Sequence, residues 1–185
     1  MSAPLRVQPL LAQGPQLVTR TGLADDRGRF ARLFSAEELL HAGWSGPIAE
    51  INHSVTTRAG TVRGLHWQTA PHAEMKVVSC IRGAVYDVAV DIRDGSPTKF
   101  AHVSAELSAD NGRALLIPEG FAHGFQALTD DAELIYFHSA AHAPGYEAGL
   151  RPDDPVLSIA WPLPVGLMSV RDRSHPLLRF AGDAA

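Results

Sequence analysis

Eight short runs of strand character follow one another through the middle of the chain, each closed by turn-forming residues, with almost nothing helical between them. The runs are "IAEINHSVT", "TVRGLHWQ", "MKVVSCIRG", "AVYDVAVDI", "HVSAEL", "RALLIP", "HGFQAL" and "AELIYFHS". The punctuation is "TRAG", "RDGSP", "SADNG", "PEG" and "LTDD". Many closely spaced strands argue for an antiparallel sandwich or barrel and against a parallel α/β sheet, so the expected fold is an all-β antiparallel jelly roll with a few short helices. The clearest helix is "SAEELLHAG", where Ser35 and Glu38 have capping-box spacing and Gly43 supplies a left-handed stop.

A chain of 185 residues with 45% hydrophobic content fills one core, so residues 1–185 are expected to form one domain. Its core is expected at about 25–165, with a C-terminal segment, 166–185, wrapping the barrel; the tail from "DDPVLSIAWPLP" onward is rich in proline and is expected to fray at "GDAA". The net charge of -4 gives no global basic field, which disfavours nucleic acid as the main partner. The single cysteine, Cys80, lies in the apolar run "VVSCI", which suits a buried thiol in a reducing compartment. The stretch "MSAPLRVQPLLAQGPQLV" has neither a signal-peptide core nor a membrane-length apolar run. A cytoplasmic protein without membrane insertion is the expectation.

Period-2 alternation puts Tyr86, Val88, Val90 and Ile92 on one apolar face, with Asp87, Ala89 and Asp91 on the other. The same count in "RGLHWQ" makes Arg63 and His66 point apart. If both serve one site, either a bulge near Gly64 re-aims one of them or Arg63 sits at the strand end by the barrel rim. His66, Lys76, His123 and Tyr136 stand out as polar groups inside apolar strands. A lone histidine is mostly structural, but in a barrel such residues converge on the lumen, where their joint presence is costly without partners or a ligand.

"GTVRGLHWQ" and "GRALLIPEGFAHGFQA", with Gly112, Pro118, Gly120 and His123 at motif spacing, resemble the two motifs of the cupin superfamily. The usual histidine-x-histidine is His66-Trp67-Gln68 here, and the asparagine ending the second motif is Ala127, so the full ligand set of metal-binding cupins is missing. His66, Glu74 and His123 still offer two histidines and a carboxylate as a facial triad, the basis of an alternative reading as a metal-dependent dioxygenase or isomerase.

In order along residues 25–178, "DDRGRF", "NHSVTTRAGTVRGLHWQ", "KVV", "GAVYDVAVDIRDGSPT", "LSADNGRALLIPEGFAHGFQAL", "AELIYF" and "DDPVLSIAWP" resemble the dTDP-4-dehydrorhamnose 3,5-epimerase family. The resemblance implies a cupin-like homodimer, free of metal and other cofactors, that epimerises a nucleotide-linked 4-keto-6-deoxy hexose at C3, C5 or both. By similarity His66 is the base, Asp172 the carboxylate supporting it, Lys76 the cation at the C4 oxygen and Tyr136 the acid on the opposite face. Arg63 matches a phosphate ligand. Asn52, Gln68, His123 and His142 match positions that contact substrate or shape the site, and Arg27 and Phe30 match residues reaching the nucleotide of a neighbouring subunit. Taken singly, Arg27 is an ordinary turn charge, His123 a packable core histidine and Asn52 a ladder or turn residue.

Two positions depart from the family pattern. Arg32 stands where a glutamate often holds thymine, which opens the nucleotide to CDP or GDP. His142 replaces a second aromatic, usually tyrosine, which opens single-centre epimerisation. A non-catalytic sugar-binding cupin is the remaining alternative, and it has no need for His66, Lys76 and Tyr136 together.

Overall fold

All eight runs form strands in the computed structural model, which describes residues 4–179. The strands are β1 (Arg6–Pro9), β2 (Gln16–Thr19), β3 (Leu23–Asp25), β4 (Gly28–Phe30), β5 (Glu50–Thr56), β6 (Val62–Gln68), β7 (Lys76–Arg82), β8 (Ala84–Asp91), β9 (His102–Ser108), β10 (Arg113–Ile117), β11 (Phe121–Ala127), β12 (Ala132–His138) and β13 (Glu147–Gly149). Two short helices, α1 (Ala36–Leu40) and α2 (Val170–Ser174), complete the described chain. The all-β, cupin-like expectation is borne out. The "GDAA" end expected to fray lies outside the described residues.

The chain steps repeatedly between two antiparallel sheets, one of six strands in the order β1-β2-β10-β7-β12-β5 and one of five in the order β13-β6-β11-β8-β9. β1 and β2 belong to the first sheet, so the barrel begins upstream of the expected residue 25. β3 and β4 form a separate hairpin.

Three apolar layers hold the sheets. Between them, Val78, Val85, Leu107, Leu115, Phe125 and Leu134 fill one end of the barrel. Outside the six-stranded sheet, Leu39 of α1 and Trp44 pack on Val77, Leu116 and Phe137. Ser35 caps α1 by accepting from the Glu38 amide, but the other half of the capping box is absent: the Glu38 carboxylate accepts from the Leu5 amide and pairs with Arg32. Gly43, at φ +96°, ends this segment.

The third layer shows where the apolar face of β8 goes. Tyr86, Val88, Val90 and Ile92 point out of the barrel and are covered by Leu150, Leu157 and Trp161 of the returning C-terminal segment. The opposite face sends Asp87 and Ala89 inward. Buried Gln126 fixes the returning segment, accepting from the Leu163 amide and donating to its carbonyl at 2.9 Å each. The Val62 amide then donates to Leu167, and Ser169 caps α2. This route carries Asp172 back to the barrel wall.

Candidate active site

One end of the barrel stays open as a cavity of about 800 Å³ between the two sheets. β6 and β11 contribute Arg63, His66 and His123 from one wall; β7 and β12 contribute Lys76 and Tyr136 from the other. Asn52 of edge strand β5 and Asp172 of α2 also line it.

Arg63 and His66 reach the same cavity because β6 bulges between them. His123 pairs with His66 and Phe125 with Arg63, so three steps on β6 oppose two on β11. Gly64 makes this possible: its φ is +112°, and a Cβ there would stand 2.5 Å from Cα of Gly124 and 2.6 Å from the His123 carbonyl oxygen. The guanidinium of Arg63 is exposed, donating to the Thr56 hydroxyl at 3.0 Å and the Val55 carbonyl at 3.1 Å across the gap to β5.

His66 Nε2 lies 2.7 Å from Asp172 Oδ1, and the Asp172 side chain is 3% exposed. With Nε2 engaged, Nδ1 is the nitrogen free to accept a proton. Burial pushes the imidazole below its ordinary value, and the hydrogen bond and charge of Asp172 pull it part of the way back. Across the cavity, the Tyr136 hydroxyl is 3.1 Å from Ser54 Oγ, and burial raises its pKa well above that of a free phenol. A group in this state holds its proton at neutral pH. Lys76 is buried and paired with Glu74 at 3.0 Å. His123 is anchored by Asp87 at 2.9 Å, and that carboxylate is fully buried.

A base on one wall, a neutral phenol on the other and a buried cation beside it suit the removal and return of a proton on carbon next to a carbonyl. Comparison with known proteins gives this chemistry a family. The family model described as dTDP-4-dehydrorhamnose 3,5-epimerase matches residues 11–179. The chain belongs to this family. It is an isomerase of the epimerase type. A dTDP-4-dehydrorhamnose 3,5-epimerase of Streptomyces griseus is 44% identical over 172 residues, covering 92% of this chain and 85% of that relative. A dTDP-4-dehydrorhamnose 3-epimerase of Streptomyces niveus is 40% identical over 181 residues, covering 97% and 87%. The solved structure of a dTDP-4-dehydrorhamnose 3,5-epimerase from Bacillus anthracis with TDP and PPi bound superposes with a TM-score of 0.90 at 36% identity, covering 94% and 99%.

Four residues carried over from the epimerase family do not line the main cavity. Gln68 and His142 border a smaller one of about 180 Å³, which shares Asn52, His66 and His138 with it. Gln68 is buried and accepts from the Ala143 amide; His142 pairs with Glu147 at 3.2 Å. Arg27 and Phe30 sit on the β3–β4 hairpin, where Arg27 pairs with Asp25 and Phe30 is 69% exposed.

The metal triad of the alternative reading is not assembled. Glu74 is held by Lys76 and His138, and His123 by Asp87. Among the described residues, the one trio whose ligand atoms lie within 4.8 Å of each other is His66, Asp172 and His175. Sequence reasoning overlooked Ser54, His138 and the role of Asp87. The signal for His138 was there: it stands two residues after Tyr136 and so shares its strand face.

Proposed function

We propose that this epimerase acts on a dTDP-linked 4-keto-6-deoxy hexose, inverting C3, C5 or both through an enolate. The His66–Asp172 pair facing Tyr136 and Lys76 across the cavity carries the reading. His66 Nδ1 takes the proton from a carbon beside the C4 ketone, and the C–H electron pair moves into the enolate. The Lys76 ammonium stabilises the oxygen as charge develops there. A proton from the Tyr136 hydroxyl, returned to the opposite face, inverts the centre, and solvent restores the phenol. Arg63, exposed at the cavity opening, binds the diphosphate, with Asn52, Gln68, His123 and His142 shaping the site.

The nucleotide is assigned from the relatives. Arg32 is engaged with Glu38 of α1, a structural pairing that leaves recognition of the base to other residues. A 3,5-epimerase and a 3-epimerase stand at similar identity to this chain, which together with His142 keeps single-centre inversion as a second reading.

We also propose a cytoplasmic homodimer. Arg27 and Phe30 stand away from their own cavity, and Ile51 and Val55 are exposed on edge strand β5, as suits a chain completed by a second copy. The buried, reduced thiol of Cys80 fits the cytoplasm. Among the described residues no helix is long and apolar enough to cross a membrane.

The test is NMR of dTDP-4-keto-6-deoxyglucose in deuterium oxide with the protein added, beside a His66→Ala control. Deuterium at C3, C5 or both, abolished by the substitution, supports the reading and gives the regiochemistry. Failure of dTDP, CDP and GDP sugars alike to exchange defeats it.

A further inference from the structure

The proposed mechanism uses one carboxylate–imidazole pair, His66 with Asp172; of the two others at the same cavity, His123 with Asp87 stands on the same sheet as His66, and His138 with Glu74 stands on the sheet that faces it. His138 shares a face of β12 with Tyr136, and both line the cavity. Their rings lie near parallel, 6.0 Å apart at 23°. His138 Nδ1 is 2.7 Å from Glu74 Oε2, while the other oxygen of Glu74 is 3.0 Å from Lys76 Nζ. All three side chains are largely buried, His138 at 13% exposure and Glu74 at 9%.

Burial alone would raise the Glu74 carboxyl, but the hydrogen bond from His138 and the charge of Lys76 outweigh it and bring it down to about 2. Glu74 is therefore an acceptor at working pH, and His138 Nδ1 must be the donor. The tautomer is fixed, with Nε2 as the nitrogen free to exchange a proton. The pair mirrors His66 and Asp172, with the two ring nitrogens in exchanged roles.

Placement gives the second pair its use. His66 enters from the five-stranded sheet; Tyr136 and His138 enter from the six-stranded sheet that faces it. A sugar ring held between the sheets has an imidazole on either side, and inversion requires a proton to leave one face and arrive at the other. Tyr136 by itself is a reluctant donor, because burial makes the phenolate left behind costly. His138 also lines the smaller cavity beyond, which offers a route for solvent to reload Nε2.

We propose that His138, oriented by Glu74, is a second proton-transfer group that delivers a proton to the ring from the face opposite His66. In this step His138 acts as the imidazolium, loaded at Nε2 by solvent while Nδ1–H stays on Glu74: the Nε2–H proton passes to the enolate carbon, the enolate electron pair forms the new C–H bond, the C4 carbonyl is restored and neutral imidazole protonated on Nδ1 remains. The inference rests on the epimerase reading and deepens it.

The decisive quantity is the ratio of inversion to deuterium exchange at each carbon, since it compares two fates of one enolate and is insensitive to how fast that enolate forms. His138→Gln keeps a side-chain amide for Glu74 but cannot deliver a proton. It should lower the ratio at least tenfold at a carbon that the wild-type protein inverts, with exchange persisting through His66. Glu74→Gln should lower the same ratio, whatever it does to overall rate through Lys76. An unchanged ratio at every inverted carbon overturns the proposal, even if the rate falls. So does loss of exchange in both variants, because abstraction by His66 does not require His138. A wild-type protein with no exchange on any of the sugars defeats the epimerase reading itself.

Discussion

Nε2 of His66 and Oδ1 of Asp172 meet at 2.7 Å although 106 positions separate them in the chain. The contact depends on the returning C-terminal segment, whose α2 begins at the Ser169 cap and turns Asp172 inward. The carboxylate both orients the ring and favours its charged form, so it moves the pKa of His66 as well as its position.

Asp172→Asn should therefore lower the pKa of His66 further, because burial then acts unopposed. The proposed role of His66 is that of a base, which acts in its neutral form, so the rate should rise with pH through this pKa. In the wild-type protein the acid limb of kcat/KM should lie below the ordinary histidine value of 6.5. In the variant it should lie lower still, with kcat reduced about a hundredfold by loss of orientation. A pH–rate profile measures both; a limb displaced to higher pH contradicts the assignment of His66 as base.

Lys76→Met should slow exchange and inversion together, by about 10²- to 10³-fold, since it removes the cation from the developing oxyanion. The expected outcome is a lower kcat with the ratio of inversion to exchange unchanged. That outcome would separate the role proposed for Lys76, in forming the enolate, from those proposed for Tyr136 and His138, in its fate. The same NMR assay reads both quantities, and a change in the ratio would place Lys76 among the proton donors instead.

The barrel was largely legible in the sequence because its strands are long enough to display alternation and are bounded by strong turn signals. β3, β4 and β13, at three residues each, are too short to do so, and their pairing is decided by tertiary contact. Alternation found the apolar face of β8 but not its direction, because only the returning segment determines that this face lies outside. Of the site, strand chemistry pointed to His66, Lys76, His123 and Tyr136. Asp172 emerged only from resemblance, since nothing local in "SVRDRSHP" links it to residue 66. The bulge that brings Arg63 and His66 together was one of two options in the sequence; the register shift and the close approach of Gly64 to Gly124 show the bulge, and Arg63 also lies next to the start of β6.

That close approach makes Gly64 a sharp test of the site's construction. Gly64→Ala must place a side chain at φ +112° and a Cβ 2.5 Å from the Gly124 backbone. Neither neighbour is a flexible side chain that can swing aside. Backbone strain and overpacking together should cost on the order of 3 kcal/mol or more. Denaturant unfolding should show this loss, and any folded fraction should bind and turn over substrate poorly because Arg63 and His66 are re-aimed. Wild-type stability in the variant would mean that β6 has no such bulge.

Glu74 predicts a pH dependence of stability with a definite sign. Its folded-state pKa is depressed from the ordinary 4.5 to about 2, so the ionised form is favoured by folding. The resulting stabilisation is fully present above pH 4.5 and is lost as pH falls toward 2; a depression of this size corresponds to about 3 kcal/mol. Glu74→Gln has no such group to protonate. Urea unfolding at a series of pH values should show wild-type stability falling more steeply than that of the variant between pH 4.5 and 2, with a constant difference above pH 5. Parallel curves across the acid range would mean that His138 and Lys76 do not hold Glu74 in its ionised form, and the fixed tautomer of His138 would lose its basis.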